Sequence, residues 1–266
     1  MKLLEEKKGL ILGIANSRSI AAATAQYLSA EGATLGFNYL PDQGERARNR
    51  ERIEQVTEDM NPSFLQACDV TSDDHMKDLF DTAKEKLGRL DFVIHSIAFA
   101  PTADIKCPTI EASRDGFLEA MNISCYSFLK TAALAAPLMD DGGSICAMTY
   151  YGGEKVMPGY NLMGLCKAAL ERAVQYAAHD LGPKQIRVNS ISAGPVKTLA
   201  ASAVGDFKSM FQTYEETAPL GRNIAAEDVA QTAAFLCSDL SRMITGETIH
   251  VDGGFHAMGT NPKTRN

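Results

Sequence analysis

The sequence of 266 residues predicts a doubly wound α/β fold, a single domain around a seven-stranded parallel sheet. Three observations predict it. Short β-rich runs alternate with longer amphipathic helical stretches along the whole chain. The short runs are almost continuously apolar, as strands covered on both faces should be. No linker, internal repeat or low-complexity stretch divides the chain, and its length suffices for one large core.

The elements follow in order. The first run, 9–12, closes at Gly13, and a helix over 19–31 starts at Ser19, a capping residue type. Gly32 suits the position just past that helix, and the second run occupies 33–37. A charged helix over 43–59 leads to the run 63–68, which ends at Asp69. Next come a helix over 73–87, a run at 90–95, a helical stretch from about 110 to 139 and a run at 143–148. A helix over 160–181 stops at Gly182-Pro183, before the run 186–191. The segment 196–221 is helical in pattern and has no strand of its own. It leaves the carboxyl end of the sixth run, where ligands of open α/β sheets bind, so it is a candidate substrate lid. A helix over 226–236 and the run 247–251 complete the set, with Gly253-Gly254 behind.

Composition excludes several classes. Net charge is −7 and no basic stripe appears, which argues against nucleic acid as the main ligand. No apolar run reaches the length of about 18 residues that marks a membrane span. Residues 1–8 lack the apolar region of a signal peptide. The six cysteines (Cys68, Cys107, Cys125, Cys146, Cys166 and Cys237) form no C-x-x-C pair and read as reduced thiols of a cytoplasmic protein. Cys166 has no neighbouring His base, and the five histidines lack metal-ligand spacing. His95, at the end of an apolar run, reads as a satisfied core histidine.

Strand, tight turn and helix start at Gly13, Ser19 and Ile20 make either a dinucleotide phosphate site or an ordinary βα turn. The full glycine fingerprint is absent, since 13–20 reads Gly-Ile-Ala-Asn-Ser-Arg-Ser-Ile. After the second run, near Leu40, Asp42 is a candidate for a ribose 2′-hydroxyl, and Arg46 and Arg48 for a 2′-phosphate; a solvated helix start is the alternative. Asp69-Val70 suits an adenine contact, or Asp69 a helix cap. Tyr160 and Lys167 lie seven residues apart. On one helix they would stand about 20° apart on one face and roughly two turns along it. There the lysine would lower the phenol pKa and hold a ribose diol, and the phenol would donate a proton or stabilise an oxyanion; an accidental pairing is the alternative that the spacing by itself leaves open.

Several stretches together carry a resemblance. They are Gly13-Ile14-Ala15-Asn16 with Ser19-Ile20, then residues 95–100 (His-Ser-Ile-Ala-Phe-Ala), then Tyr150, and then Tyr160-Asn161-Leu162-Met163-Gly164 with Lys167. Residues 187–200, with Gly194-Pro195-Val196-Lys197-Thr198, and 250–254 (His-Val-Asp-Gly-Gly) complete the set. The chain resembles the short-chain dehydrogenase/reductase superfamily. Within it, the chain is similar over essentially its whole length to enoyl-acyl-carrier-protein reductases of bacteria and plastids.

The resemblance implies a Rossmann domain over 1–266, with 196–221 as lid, and NADH or NADPH as cofactor. Gly13, Ser19, Ile20, Leu40, Asp69, Val70, Ser96, Ile97, Ala98, Lys167, Pro195, Val196 and Thr198 are the implied cofactor contacts. Tyr160 would stabilise the enolate oxygen, Lys167 would hold the nicotinamide ribose, and Tyr150 would line the acyl pocket and assist catalysis, or merely pack. Ala98, Met163 and Phe207 are implied on the substrate side. Phe207 and Met210 face the acyl chain or pack inside the lid helix. Asn122 reads as structural. Ala147 and Met163 stand where carbonyl-reducing relatives keep a serine and a tyrosine, which separates this branch from them. Ala98 stands where some relatives have glycine, which puts the diphenyl-ether inhibitor site in doubt. The resemblance also implies an acyl-carrier-protein substrate, with a candidate basic rim at Lys197, Lys208 and Arg222. It further implies a homotetramer with 255–259 near an interface. A carbonyl reductase or a catalytically silent NAD(P)-binding regulator are the alternatives.

Overall fold

The computed structural model describes residues 2–42, 44, 48–197 and 207–259, with the backbone alone at Phe207 and Lys208. The strands are β1 (Lys8–Leu12), β2 (Thr34–Tyr39), β3 (Phe64–Ala67), β4 (Phe92–His95), β5 (Gly143–Thr149), β6 (Ile186–Ala193) and β7 (Thr248–Val251). They form one parallel sheet in the order β3-β2-β1-β4-β5-β6-β7. Each expected run is a strand, with ends that differ by no more than two residues.

The continuous apolar runs have a simple cause. Alternate residues of a strand point to opposite faces, and here both faces are covered. Leu10 and Leu12 of β1 enter one core with Val93, Ile145 and Val188. Helices α3 (Asp73–Leu87), α6 (Ser127–Ala135) and α7 (Leu162–Leu181) cover that face through Met76, Phe80, Phe128, Leu170 and Val174. Ile11 enters the other core with Phe37, Ile94, Cys146 and Ile191. There α1 (Ile20–Ala30) and α9 (Ala226–Cys237) cover the sheet with Ala21, Ala25, Leu28, Val229 and Ala233. Each fully buried Leu, Ile or Phe stabilises the fold by about 2 kcal/mol.

The helices depart from the sequence pattern in four places. The charged stretch after β2 holds α2 (Arg48–Thr57) and ends in a 3-10 turn at Glu58–Met60, with 43 and 45–47 outside the described residues. A short unforeseen helix, α4 (Thr102–Lys106), follows Pro101. The stretch expected as one helix from 110 to 139 contains α5 (Arg114–Met121), a π-helical turn at Asn122–Tyr126, then α6 and a 3-10 turn at Ala136–Leu138. Local serines tie the π turn to its surroundings, a constraint that apolar periodicity does not encode. Finally, α7 begins at Leu162, two residues after Tyr160. Within the lid candidate, α8 (Phe207–Thr217) is helical, and 198–206 lie outside the described residues.

The chain winds outward from β1 in one direction through β2 and β3, and from β4 in the other. A crevice therefore opens at the carboxyl ends of β1 and β4, the position where doubly wound sheets bind ligands.

Candidate active site

The site begins with Gly13, directly after β1. Its φ is +100°, and a Cβ placed there would lie 2.2 Å from the Ser96 carbonyl oxygen and 3.1 Å from Ile97 Cγ1. Only glycine allows the loop after β4 to approach this closely. Asn38, buried near the end of β2, accepts the Gly13 N–H at 3.0 Å and donates to the Cys68 carbonyl. It thus ties three strand ends together. Ser19 caps α1: its hydroxyl accepts from Ala22 N–H and donates to the Asn16 carbonyl at 2.8 Å. The Ser19 proton is therefore already used. What α1 offers an anion is its first-turn amides, including that of Ile20, which have no carbonyl partner inside the helix.

The ribose candidates separate. Asp42 caps α2 by accepting from the N–H groups of Asn49 (2.6 Å) and Arg50 (3.3 Å), so its carboxylate is held by the backbone. Leu40 is exposed, Arg48 is exposed on α2, and Arg46 lies outside the described residues. Asp69 accepts from the N–H and hydroxyl of Thr71, while Ser72 caps α3.

The loop 96–100 forms the near wall, with Ala98 exposed and Ser96 and Ile97 half-buried. Ser124, on the π turn, holds this loop by both polar groups of Phe99. Its hydroxyl accepts from Phe99 N–H and donates to Phe99 C=O, both at 2.9 Å. Behind it, His95 is fully buried with Nε2 bonded to Ser127 Oγ at 2.8 Å. Its Nδ1 has no partner, so the histidine is only half satisfied. Burial, with Lys167 nearby, lowers its pKa to about 3.

The expected single helix face bearing Tyr160 and Lys167 does not form. Tyr160 sits in the turn ahead of α7, and Asn161 at φ +42° redirects the chain into the helix. Asn161 Nδ2 anchors that turn by donating to the carbonyls of Ile105 (2.7 Å) and Cys107 (2.9 Å). Gly152 leaves room for the Tyr160 ring, since a Cβ there would lie 2.4 Å from it. The Tyr150 ring meets the Tyr160 ring edge-on, with centroids 4.7 Å apart. Among the described residues, the Tyr160 hydroxyl has no hydrogen-bond partner.

The expected lowering of the phenol pKa is also reversed. Burial pushes Tyr160 well above the usual phenol range, and Tyr150, Cys166 and Glu171 push it the same way. The cost of desolvating a phenolate here exceeds any attraction from the lysine. Tyr160 is thus held as a neutral donor. Lys167 is 5% exposed and donates to the Met148 carbonyl at 2.8 Å. Burial lowers its pKa to about 8, partly offset by Cys166, Glu171 and Cys125. Burial pushes the Cys166 thiol up to about 11, which leaves it protonated and a poor nucleophile.

Met163 is 5% exposed and packs with Ala100, Ile105, Ala120, Leu162 and Cys166, with Tyr160 against the same cluster. Pro195 is buried and Val196 half-buried just past β6. Thr198 and the side chains of Phe207 and Lys208 lie outside the described residues. Lys197 sits over the Phe211 ring at 4.9 Å, and Arg222 is exposed. Reasoning from sequence missed Asn38, Ser124 and Tyr214. The first two are polar residues inside apolar stretches, a signal that was available. Tyr214 follows Met210 by one helical turn, which was also readable.

The model of the enoyl-(acyl carrier protein) reductase family matches residues 13–256, which takes in every site element above. The chain belongs to the enoyl-acyl-carrier-protein reductase family. An NADH-dependent enoyl-acyl-carrier-protein reductase of Rickettsia felis is 48% identical over 259 residues, covering 97% of this chain and 98% of the relative. The reductase of Anaplasma phagocytophilum, solved in complex with NAD, superimposes with a TM-score of 0.92 at 44% identity and 97% coverage of both chains. That of Bacillus cereus, solved with NADP+ and an indole naphthyridinone, gives 0.92 at 45% identity, covering 98% of this chain and 100% of the other. Among the described residues no cluster of His, Cys, Asp or Glu could hold a metal ion. None of their helices is long and apolar enough to cross a membrane.

Proposed function

We propose that this protein reduces the trans-2 double bond of enoyl thioesters carried on acyl carrier protein, using NADH. The observation that carries the reading is the Tyr160 phenol. It is neutral, uncommitted and edge-on to Tyr150, with Lys167 as a buried cation on the following helix. The positions where a carbonyl-reducing relative keeps its serine and tyrosine hold Ala147 and Met163, both buried in apolar clusters.

The residues fit a nicotinamide dinucleotide. The Gly13 turn at the switch point admits no side chain, the first turn of α1 offers free amides, and Lys167 Nζ uses one of its three donors within the protein. When bound, the reduced nicotinamide supplies hydride to C3 of the enoyl thioester. Tyr160 donates a hydrogen bond to the thioester oxygen as negative charge develops there, and C2 of the resulting enolate then takes a proton from Tyr160 or a water. The elevated pKa of the phenol keeps its proton in place until then. Lys167 holds the ribose and adds positive potential beside Tyr160. Ser96, Ile97 and Ala98 form the floor under the cofactor, with Pro195 and Val196 on the opposite side; Thr198, outside the described residues, is a further cofactor contact of this reading. Ser19, Ile20, Leu40, Asp69 and Val70 complete the cofactor contacts, and residues 196–221 act as the lid.

The protein acts in the cytoplasm as a homotetramer. The exposed Phe117, Tyr126, Leu129, Leu165 and Tyr176 on and between α5, α6 and α7 supply apolar surface for self-association. Sedimentation should give the mass of four chains. One assay tests the reaction: oxidation of NADH and NADPH followed at 340 nm with crotonyl and acetoacetyl thioesters. Crotonyl thioester should consume NADH while acetoacetyl thioester does not, and inertness of the crotonyl substrate with both cofactors overturns the reading.

A further inference from the structure

A hydrogen-bonded chain joins the lid helix to the site. Tyr214, on α8, is 1% exposed, and its hydroxyl donates to the Tyr150 oxygen at 3.3 Å. The Tyr150 hydroxyl in turn donates to Met210 Sδ at 3.3 Å. Among the described residues this is the direction in which both protons find acceptors. Reversed, the Tyr214 proton would have no partner among them, and the Met210 sulfur would lose its donor. Met210 and Tyr214 are four residues apart on α8 and so share a face. Tyr150 is therefore held at two points by a single helix.

The other side of Tyr214 is fixed as well. Its ring stacks on Phe255 with centroids 3.7 Å apart and planes 12° apart. Phe255 meets Tyr151 edge-on at 5.9 Å, next along the chain to Tyr150. The Tyr214 hydroxyl is thus aimed by a rigid aromatic stack. The acceptor at the far end is weak, because a thioether binds a phenol proton less well than a carbonyl oxygen does. Tyr150 therefore carries a proton that is directed but only weakly hydrogen-bonded, on a ring packed edge-on against Tyr160.

We propose that Tyr214 is a positioning residue for enoyl reduction, acting through Tyr150. By donating to the Tyr150 oxygen it aims the Tyr150 proton at the space beside Met210, where an incoming acyl thioester offers a better acceptor. It does so only while α8 is seated on the Phe255 stack. Substrate capture is thereby linked to the seating of the lid helix. This rests on the enoyl reductase reading and deepens it, and NADH binding lies outside the effect.

A double-mutant cycle tests it, with kcat and KM for crotonyl thioester and Kd for NADH measured on the full-length protein. Y214F keeps the stack on Phe255 and deletes one hydrogen bond. Its kcat/KM should fall about fivefold, the effect of one neutral hydrogen bond. NADH Kd should not change, and Y150F/Y214F should be no worse than Y150F, because Tyr214 then has nothing to aim. A Y214F protein with wild-type kcat/KM overturns the proposal. So does a double mutant whose loss is the product of the two single losses, which would mark Tyr214 as generally structural. If wild-type protein leaves crotonyl thioester untouched, the reaction reading fails first and the proposal falls with it.

Discussion

Gly13→Ala gives a sharp test of how the site is built. The substitution has two separable costs. At φ +100° an alanine pays about 1 kcal/mol for the left-handed backbone. Its Cβ would also sit 2.2 Å from the Ser96 carbonyl oxygen and 2.7 Å from its carbon. These are backbone atoms, fixed by the Ser96 N–H bond to Leu12, so relief requires moving the whole loop after β4. Overpacking of that kind costs about 1–3 kcal/mol. The sum, about 2–4 kcal/mol, corresponds in a domain of this size to a Tm lower by roughly 4–8 °C. Displacing the turn also shifts the Gly13 N–H and the start of α1, so NADH affinity should fall roughly tenfold. Gly182→Ala is the control. Gly182 closes α7 at φ −53°, and a Cβ there meets nothing within 4 Å apart from its chain neighbours. That variant should melt close to wild type, because the gain from restricting the unfolded chain is offset by Pro183, which disfavours a helical residue with a Cβ ahead of it. Thermal unfolding by circular dichroism and NADH titration by fluorescence read both variants. A G13A protein that melts and binds like wild type would refute the steric reasoning.

Three further outcomes are expected. Tyr160→Phe keeps the ring against Tyr150 but removes the donor, so kcat should drop about 100- to 1000-fold with NADH Kd unchanged, as read by turnover at 340 nm. Lys167 is charged below its lowered pKa of about 8 and loses that charge as pH rises through it. NADH affinity measured from pH 6.5 to 9.5 should therefore be highest at the acid end and weaken above about 8, whereas K167M should be weak and pH-independent. Ser124→Ala strands both polar groups of Phe99. Stability in urea should fall by about 1–3 kcal/mol, with a loosened 96–98 loop visible as faster amide exchange.

Periodicity and residue type were enough to read the seven strands and the placement of Gly13 at the first turn, and the resemblance of whole stretches implied the branch within the superfamily. The first two are local properties, apolar runs of strand length and a glycine at a strand end; the branch rests on the resemblance, with Ala147 and Met163 where carbonyl-reducing relatives keep a serine and a tyrosine. Ser19 as a helix cap and Gly32 behind α1 were legible for the same reason, since capping is settled within a few residues. Gly32 has φ +96° and its N–H donates to Ser29.

Tertiary packing decided the rest. Tyr160 leaves the helix because Asn161 spends its side chain on the carbonyls of Ile105 and Cys107, which are more than fifty residues away in sequence. The phenol pKa rises because burial depends on Tyr150, Cys166 and the surrounding elements, and the spacing to Lys167 carries no information about solvent. Asp42 is drawn into capping α2, and the His95 Nδ1 is left unpaired, by neighbours that only the fold brings close. The chain of Tyr214, Tyr150 and Met210 joins residues sixty or more positions apart. A sequence states which side chains are present and which local conformations suit them. Desolvation and long-range hydrogen bonding depend on what lies across the crevice, and that exists only once the sheet has closed.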